Sequence, residues 1–320
     1  MKIQDNLYGD FEISEPVLIE LINSKAIQRL KGVSQLGLPD EYFHIKGFSR
    51  FDHSIGTMLL LRKLGASLKE QIAGLLHDVS HTAFSHLTEL LLGDPSKDNF
   101  QDDNMLSYIK KTNIPFILKK YSYDYLEICD TDNFSLLESS APNLCADRVD
   151  YGLREMLNFE KDTKKIVDSL INYDRKIIFN SKGACETFSL GYARCQRDDW
   201  GSDEAKVRHQ LMAEILKDSL DKGIINFDDF WKTDNEIIYI VRNKGSVKAI
   251  EKLNLLAKRF KIIESKKNTF GYKKKFRYVD PEINIGSKLI RLSELSTSYK
   301  KLISIEMEES NKVKFFEIVK

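Results

Sequence analysis

Apolar side chains recur at intervals of three and four residues through the first two thirds of this 320-residue chain. That spacing places them on one face of an α-helix, and Gly or Pro falls where such helices are expected to end. Gly65 is predicted to end one helix as a left-handed cap, and Ser67 with Glu70 to begin the next helix as a capping box. We predict helices over 15–31, 54–64, 67–78, 83–92, 105–111, 116–129, 143–158 and 205–221. Residues 1–221 are thus predicted to form one helical domain.

The sequence changes in character beyond residue 222. The segments IIYIVR at 237–242 and KFRYV at 275–279 mix β-branched and aromatic residues, which is typical of strands. A helix is predicted between them at 246–259, and a hairpin turn at 268–271. We therefore predict a mainly α fold in which residues 222–320 form a smaller α+β lobe packed on the helical domain.

Composition excludes several classes of protein. The charged fraction is 30% but the net charge is only +1, so no global field directs the chain to nucleic acid or to an anionic membrane. The four cysteines form no C-x-x-C pair, which suits reduced thiols. No apolar run approaches the roughly 18 residues of a membrane span, and no secretory leader is evident. A cytoplasmic location is the expectation.

Histidine is concentrated in one short region, because four of the six histidines fall between residues 53 and 86. His77 and Asp78 end the apolar run IAGLLHD, and burying both groups without a partner would be costly. A divalent cation satisfies neutral imidazoles and ionised carboxylates together. Asp147 is the best candidate for a further ligand, because apolar neighbours turn it inward, and Asp150 is its competitor.

The ordered set His53, His77-Asp78 and Asp147 resembles the H…HD…D pattern that names the HD superfamily. The stretches RFDHSIG, LLHDVSHTAFSH and ADRVDYGLRE resemble the deoxynucleoside triphosphate triphosphohydrolases, in particular the branch of the vertebrate SAM-and-HD-domain enzyme. The resemblance implies an HD-type helical bundle. It also implies that these four residues bind one divalent metal ion. The sequence does not distinguish Mn, Fe, Mg, Ni, Co or Zn.

The same resemblance implies roles for neighbouring residues, each with a structural alternative. Asp78 would also serve catalysis, with His81 and His86 as acid, base or phosphate-contact groups, unless these histidines only bind backbone. Arg50 and Arg148 would hold phosphate, unless they are solvated charges. The sugar and base would meet Tyr151, Glu155 and Trp200, with Arg194 and Arg197 as further contacts, although Tyr151 and Trp200 are equally compatible with the core.

This chain departs from the family pattern at several positions. A second His-Glu pair usually lies between the HD motif and the last Asp, but Leu106 and Ser107 stand there, with Asp102 or Asp103 as possible substitutes. Arg148 replaces a usual Lys and Glu155 a usual Asp. The sequence therefore leaves open whether a triphosphate, a monophosphate or a phosphodiester is cut.

The leading functional hypothesis is a metal-dependent phosphohydrolase that acts on a (deoxy)nucleotide in the manner of a dNTP triphosphohydrolase. One alternative is a nuclease or cyclic-nucleotide phosphodiesterase, for which the basic segment 259–277 would bind nucleic acid. A third hypothesis is a non-catalytic, metal-bound nucleotide-binding or regulatory module. Relatives of the resembled family form oligomers, which makes a homo-oligomer the expectation here.

Overall fold

The computed structural model describes residues 1–88, 91, 100–265, 270–273, 275–286 and 288–319. Helices form most of this part of the chain. Its α-helices are α1 (Pro16–Ile22), α2 (Lys25–Arg29), α3 (Asp40–Phe43), α4 (Arg50–Lys63), α5 (Leu68–Leu76), α6 (Phe100–Ile109), α7 (Ile114–Lys120), α8 (Tyr125–Cys129), α9 (Ala146–Met156), α10 (Thr163–Asp168), α11 (Lys182–Asp198), α12 (Asp203–Asp221), α13 (Asp234–Lys244), α14 (Val247–Leu256), α15 (Leu292–Leu295) and α16 (Thr297–Ser310). No helix among the described residues is long and apolar enough to cross a membrane.

The strands are short and form three small sheets. They are β1 (Lys2–Asp5), β2 (Gly9–Glu12), β3 (Leu170–Tyr173), β4 (Lys176–Phe179), β5 (Lys261–Glu264), β6 (Phe270–Lys273), β7 (Glu282–Ile285), β8 (Lys288–Arg291) and β9 (Val313–Val319). The sheet orders are β1-β2, β3-β4-β7-β8 and β5-β9-β6. Pairing is antiparallel except between β4 and β7, where Phe179 is opposite Ile283. The predicted mainly α fold with a smaller α+β part is confirmed.

Two clusters of buried apolar residues hold the fold together. The larger cluster joins α1, α4, α5, α9 and α11, whereas the smaller one joins α12, α13 and α14 with Phe316 of β9. Ala83, Phe84 and Leu87 belong to the smaller cluster although they lie only a few residues after His77 and Asp78. The segment after α5 therefore links the two clusters. The division at residues 221 and 222 stays a prediction.

Local sequence explains where the two central helices begin and end. Ser49 and Asp52 form a capping box at the start of α4, and Gly65 beyond its end has a φ of +73°. Ser67 caps α5 by accepting from the Glu70 backbone NH. The predicted capping box is only half formed, because the buried Glu70 carboxylate accepts from the backbone NH of Leu136 at 2.9 Å instead.

Several element predictions were wrong. Residues 237–242 are helical within α13, because the Thr233–Glu236 capping box starts a helix whose buried face carries Ile237, Ile238 and Val241. Residues 275–279 form no strand. Helix 15–31 is divided at Asn23 and Ser24, where Ser24 caps a new helix. Helix 116–129 is likewise divided, into α7 and α8.

Two further predictions extend beyond the described residues. The predicted helix 83–92 contains a 3-10 turn over Ser85–Thr88, and its residues 89, 90 and 92 lie outside the described part. Residues 268 and 269 of the predicted hairpin turn also lie outside it, whereas 270 and 271 open β6.

Candidate metal centre

Three elements bring the four predicted metal ligands together. His53 lies in α4, His77 and Asp78 follow the end of α5, and Asp147 lies in the first turn of α9. His53 Nε2 is 2.9 Å from Asp147 Oδ1 and 3.5 Å from Asp78 Oδ2. His77 Nε2 is 3.5 Å and 3.6 Å from the same two oxygens. Side chains 94 positions apart in the sequence thus meet at one point.

Hydrogen bonds on the outer side of both imidazoles fix their orientation. His53 Nδ1 lies 2.8 Å from Asp150 Oδ2, and His77 Nδ1 lies 2.8 Å from the Gly74 carbonyl oxygen. Because both partners accept, we assign the ring protons to Nδ1. The two Nε2 atoms then lie 3.2 Å apart and are both available to bind a cation between them, either a proton or a metal ion. The donor set therefore fits a divalent metal ion.

The charges around the centre favour a cation at the same point. Burial alone would lower the pKa of His77, but the carboxylates of Asp78 and Asp147 raise it to about 9. Burial would raise the pKa of Asp147, but its hydrogen bonds to His53 and His77 hold that pKa well below the usual range. Ionised carboxylates that attract a proton to an imidazole attract a metal ion to the same place.

Arg50 is a buried guanidinium that is only partly satisfied. It lies one helical turn before His53 in α4 and is 2% exposed. Its Nε donates to Ser85 Oγ at 2.9 Å, and its Nη1 donates to Asp78 Oδ2. Its Nη2 is buried and has no hydrogen-bond partner among the residues that the structure describes. A buried charged donor without an acceptor is costly, which makes this nitrogen a candidate anion contact.

His81 and His86 lie at the same end of the site. His81 Nε2 is 3.2 Å from Asp78 Oδ1, and the two histidine rings are edge to face with centroids 5.0 Å apart. Burial, together with the nearby Arg50 charge, lowers the pKa of His81 to about 3, so this imidazole is neutral. His86 is exposed. Their catalytic roles stay predictions.

A cluster of aromatic side chains lies beside the predicted metal ligands. Tyr151 lies 6.3 Å from His53 between ring centroids, hydrogen-bonds Tyr192 through its hydroxyl, and meets Trp200 edge to face at 5.5 Å. Trp200 also donates from Nε1 to Gln196 Oε1 at 2.8 Å. The structure thus places Tyr151, one turn of α9 beyond Asp147, side by side with Trp200, which follows the end of α11.

Glu155 is the least satisfied carboxyl group of this region. It is fully buried, and neither carboxyl oxygen has a hydrogen-bond partner among the described residues. Burial raises its pKa to about 8, and the charges of Asp199 and Asp40 add to the effect. Glu155 is therefore protonated at neutral pH, when it can both donate and accept a hydrogen bond.

The three other arginines that were predicted to contact substrate have different surroundings. Arg148 Nη1 donates to the backbone oxygens of Asn143 and Ser139 at 2.7 and 3.1 Å, which leaves Nε and Nη2 to face other groups. Arg194 lies over the Phe159 ring at 4.0 Å, and Arg197 pairs with Asp198 at 2.8 Å. A role for these three residues in substrate binding stays a prediction.

Leu106 and Ser107 stand where the sequence predicts the missing His-Glu pair to fall, and a substitute role for Asp102 or Asp103 stays a prediction. Leu106 is half exposed on α6, and Ser107 donates to the Asn104 carbonyl oxygen. The Asp102 side chain lies outside the described part of the chain, as do Lys266, Lys267 and Lys274 of the basic segment 259–277. Binding of nucleic acid by that segment therefore stays a prediction.

Sequence reasoning missed a second group of side chains whose atoms could hold a metal ion. Atoms of Glu138, Cys145 and Asp147 lie within 4.8 Å of one another. Arg148 Nη2 is 3.8 Å from Glu138 and Arg148 Nη1 is 3.2 Å from Cys145 Sγ, so a guanidinium already provides positive charge there. Glu138 gave no signal in the sequence, because it stands in a stretch without any motif.

Comparison with known proteins places this chain in a family. Residues 50–151 match the HD domain. The metal-dependent phosphohydrolase cns2 of Cordyceps militaris is 31% identical over 78% of this chain and 76% of its own length. The crystal structure of a phosphohydrolase from Bacteroides thetaiotaomicron has the same fold, with a TM-score of 0.67, 16% identity and coverage of 98% of both chains. The chain belongs to the HD-domain metal-dependent phosphohydrolases.

A narrower similarity concerns one branch of that family. The deoxynucleoside triphosphate triphosphohydrolase SAMHD1 of Gallus gallus is 37% identical over 105 residues. That match covers 27% of this chain and 17% of SAMHD1. The match therefore supports the assignment to the metal-dependent phosphohydrolases.

Proposed function

We propose that this phosphohydrolase cleaves a phosphate ester of a (deoxy)nucleotide, with dNTP triphosphohydrolysis as its leading reaction. His53, His77, Asp78 and Asp147 would hold one divalent ion. The chemistry that such an ion supplies when bound is polarisation of a phosphoryl oxygen and acidification of water. The observation that carries the proposal is the unpartnered, buried Arg50 Nη2 beside Asp78, because a phosphate oxygen is the acceptor it lacks.

Arg50 would orient the phosphate by donating from Nη2 to a non-bridging oxygen. Its other two bonds, to Ser85 and Asp78, fix the guanidinium plane before the substrate binds, so little side-chain entropy is lost on binding. Charge that develops on the phosphoryl oxygens would meet this donor in a site sheltered from water.

His81 and His86 would have separate roles. Neutral His81 would donate from Nε2 to Asp78 Oδ1, which turns Oδ2 of that carboxylate toward the two imidazoles. Exposed His86, beside it, would deliver a proton to the leaving group from the solvent side of the site. Asp78 would thus serve both the ion and the proton network.

The nucleoside would occupy the region of Tyr151, Glu155 and Trp200. Protonated Glu155 offers one donor and one acceptor, which matches the hydrogen bonding of a sugar hydroxyl. Trp200 offers an aromatic surface against which a base can stack. Similarity to SAMHD1 over 105 residues favours deoxynucleoside triphosphates over other esters.

A panel of substrates tests the proposal. Purified protein with Mn²⁺ is incubated with dNTPs, NTPs, mono- and diphosphates, cyclic nucleotides and single-stranded DNA, and the products are separated by ion-exchange chromatography. We expect inorganic triphosphate from dNTPs. Release of phosphate from monophosphates, or cleavage of cyclic nucleotides or DNA, would replace the triphosphohydrolase assignment with a phosphomonoesterase or a phosphodiesterase.

Two variants make that panel specific. Asp78→Ala removes a proposed ligand, whereas Asp168→Ala removes an exposed carboxylate that pairs with Lys63 and Lys164 on the surface. Hydrolysis should disappear in the first variant and persist in the second. Equal activity of wild type and Asp78→Ala would exclude this centre as the site of hydrolysis.

A further inference from the structure

Asp150 is the hub of a buried network behind the metal ligands. It is fully buried, and its Oδ2 accepts from His53 Nδ1 at 2.8 Å and from Arg154 Nε at 2.9 Å. Its Oδ1 accepts from the Tyr8 hydroxyl at 2.9 Å. The carboxylate therefore connects His53, a proposed metal ligand, to Tyr8, which lies 142 positions before Asp150 in the sequence.

The N-terminal hairpin β1-β2 supplies the outer partners of this network. Tyr8 lies in the turn between the two strands, where Asp5 Oδ1 accepts from the backbone NH groups of Leu7 and Tyr8 at 2.9 and 3.0 Å. Asp5 Oδ2 accepts from Arg154 Nη2 at 2.7 Å. Two separate contacts thus attach one turn of the hairpin to the Asp150–Arg154 pair.

The network is tightly packed against the helix that carries His53. Gly56 lies one turn beyond His53 in α4, and a Cβ there would come within 2.0 Å of both Arg154 Nη2 and Asp150 Oδ1. Because Gly56 has no side chain, α4 packs directly against the Asp150–Arg154 ion pair. Burial raises the pKa of Tyr8 well above its usual value, with Asp150 adding to the effect, so the phenol remains a donor.

We propose that Tyr8 and Asp5 are positioning residues for the metal centre, acting on His53 through Asp150 and Arg154. The network holds the His53 ring with Nε2 directed at His77 and Asp147. Residues 50–151 match the HD domain, so the hairpin and Arg154 lie outside the matched region. The proposal rests on the metal centre of the proposed function and is independent of which phosphate ester is cut.

Outer partners of metal-binding histidines fix the ring orientation, and their loss typically weakens metal binding by 10–100-fold. Tyr8→Phe keeps the buried ring and removes one hydrogen bond to Asp150. Asp150→Asn keeps the side-chain shape but replaces an acceptor of the His53 and Arg154 protons. We expect a loss of Mn²⁺ affinity of roughly tenfold in Tyr8→Phe and up to about 100-fold in Asp150→Asn.

The experiment measures Mn²⁺ affinity by isothermal titration calorimetry, with the melting temperature of the metal-free proteins and the visible spectrum of the Co²⁺-loaded proteins alongside. Tyr121→Phe is a matched control, because the Tyr121 hydroxyl also donates to a carboxylate at 2.9 Å, that of Glu20. We expect weaker Mn²⁺ binding and an altered Co²⁺ spectrum in Tyr8→Phe, with both unchanged in Tyr121→Phe.

Two results would overturn the proposal. One is a Mn²⁺ affinity of Tyr8→Phe equal to that of the wild type. Tyr8→Phe alone is sufficient for the test if Asp150→Asn fails to fold. The other is an equal loss of affinity in Tyr121→Phe, which would indicate general destabilisation. Failure of the proposed function looks different: the wild type would bind Mn²⁺ and hydrolyse no nucleotide, while the affinity difference between Tyr8→Phe and Tyr121→Phe would persist.

Discussion

The Nε2 atoms of His53 and His77 lie 3.2 Å apart, although each ring already donates from Nδ1 to an acceptor on its far side. Two imidazole lone pairs at this distance repel one another. A proton or a metal ion placed between them would remove the repulsion, and the Asp147 and Asp78 carboxylates lie close enough to His53 to complete the predicted ligand set. The close approach of the two Nε2 atoms is expected for histidines that bind a cation, and packing in an apolar core does not explain it.

Metal removal should lower the stability of the protein. At a Mn²⁺ concentration of about 100 times the dissociation constant, binding stabilises the folded state by roughly 2.7 kcal/mol. We therefore expect EDTA to lower the melting temperature of the wild type, as followed by differential scanning calorimetry. His77→Ala should abolish this shift. The shift should persist in His44→Ala, because His44 lies away from the predicted metal ligands and hydrogen-bonds the Leu256 carbonyl oxygen. The same shift in both variants would contradict the assignment.

Arg50→Lys should lower kcat by about 10²–10³-fold. A lysine has one charged nitrogen and cannot keep the bonds to Ser85 and Asp78 while a further donor faces the phosphate. Steady-state kinetics on the best substrate checks this. Arg62→Lys in the same helix is the matched control, since Arg62 binds Gln71 and Glu15 away from the site. Equal kcat values for the two variants would remove Arg50 from the proposed chemistry.

Glu155 should make stability fall as the pH rises. Its folded-state pKa of about 8 lies above the ordinary value of 4.5, so between these values the folded state keeps a proton that the unfolded state loses. The cost is absent below pH 4.5 and complete above pH 8, where it is on the order of 5 kcal/mol. Urea unfolding from pH 5 to 9 should show a shallower decline in Glu155→Gln than in the wild type.

The control for this pH dependence is Glu186→Gln, which alters a glutamate at the surface of α11. Its stability should decline with pH in parallel with the wild type. A Glu155→Gln curve that also runs parallel to the wild type would mean that Glu155 ionises normally in the folded protein.

Gly56→Ala should destabilise the protein by about 1–3 kcal/mol, because the added methyl group would overlap the Asp150–Arg154 pair. Gly183→Ala in α11 should be neutral or stabilising by up to about 1 kcal/mol, since nothing lies within 4 Å of a Cβ built there. Urea denaturation compares the two variants. A stability loss in Gly183→Ala equal to that in Gly56→Ala would show that packing against Asp150 is not the cause.

The sequence was informative where function imposes a local pattern. The histidine-rich segment and the apolar run before His77-Asp78 were sufficient to predict a shared cation site, and the helical periodicity was sufficient to predict the fold class. Composition misled at 237–242, where β-branched residues suggested a strand. The i, i+1 and i+4 spacing of Ile237, Ile238 and Val241, following the Thr233–Glu236 capping box, explains the helix.

Long-range contacts could not be predicted in the same way. The sequence offered both Asp147 and Asp150 as a further ligand. In the structure they contact opposite sides of the His53 ring: Nε2 faces Asp147, whereas Nδ1 faces Asp150. Nothing near Tyr8 in the sequence signals its contact with Asp150, because that contact depends on how the first hairpin packs against α9.

A crystal structure of the Mn²⁺-soaked protein, with anomalous data collected near the manganese edge, tests the central claim most directly. We expect one anomalous peak at about 2.0–2.3 Å from His53 Nε2, His77 Nε2 and an oxygen each of Asp78 and Asp147. A Mn²⁺ peak coordinated by other residues, with these four side chains left unliganded, would contradict the account.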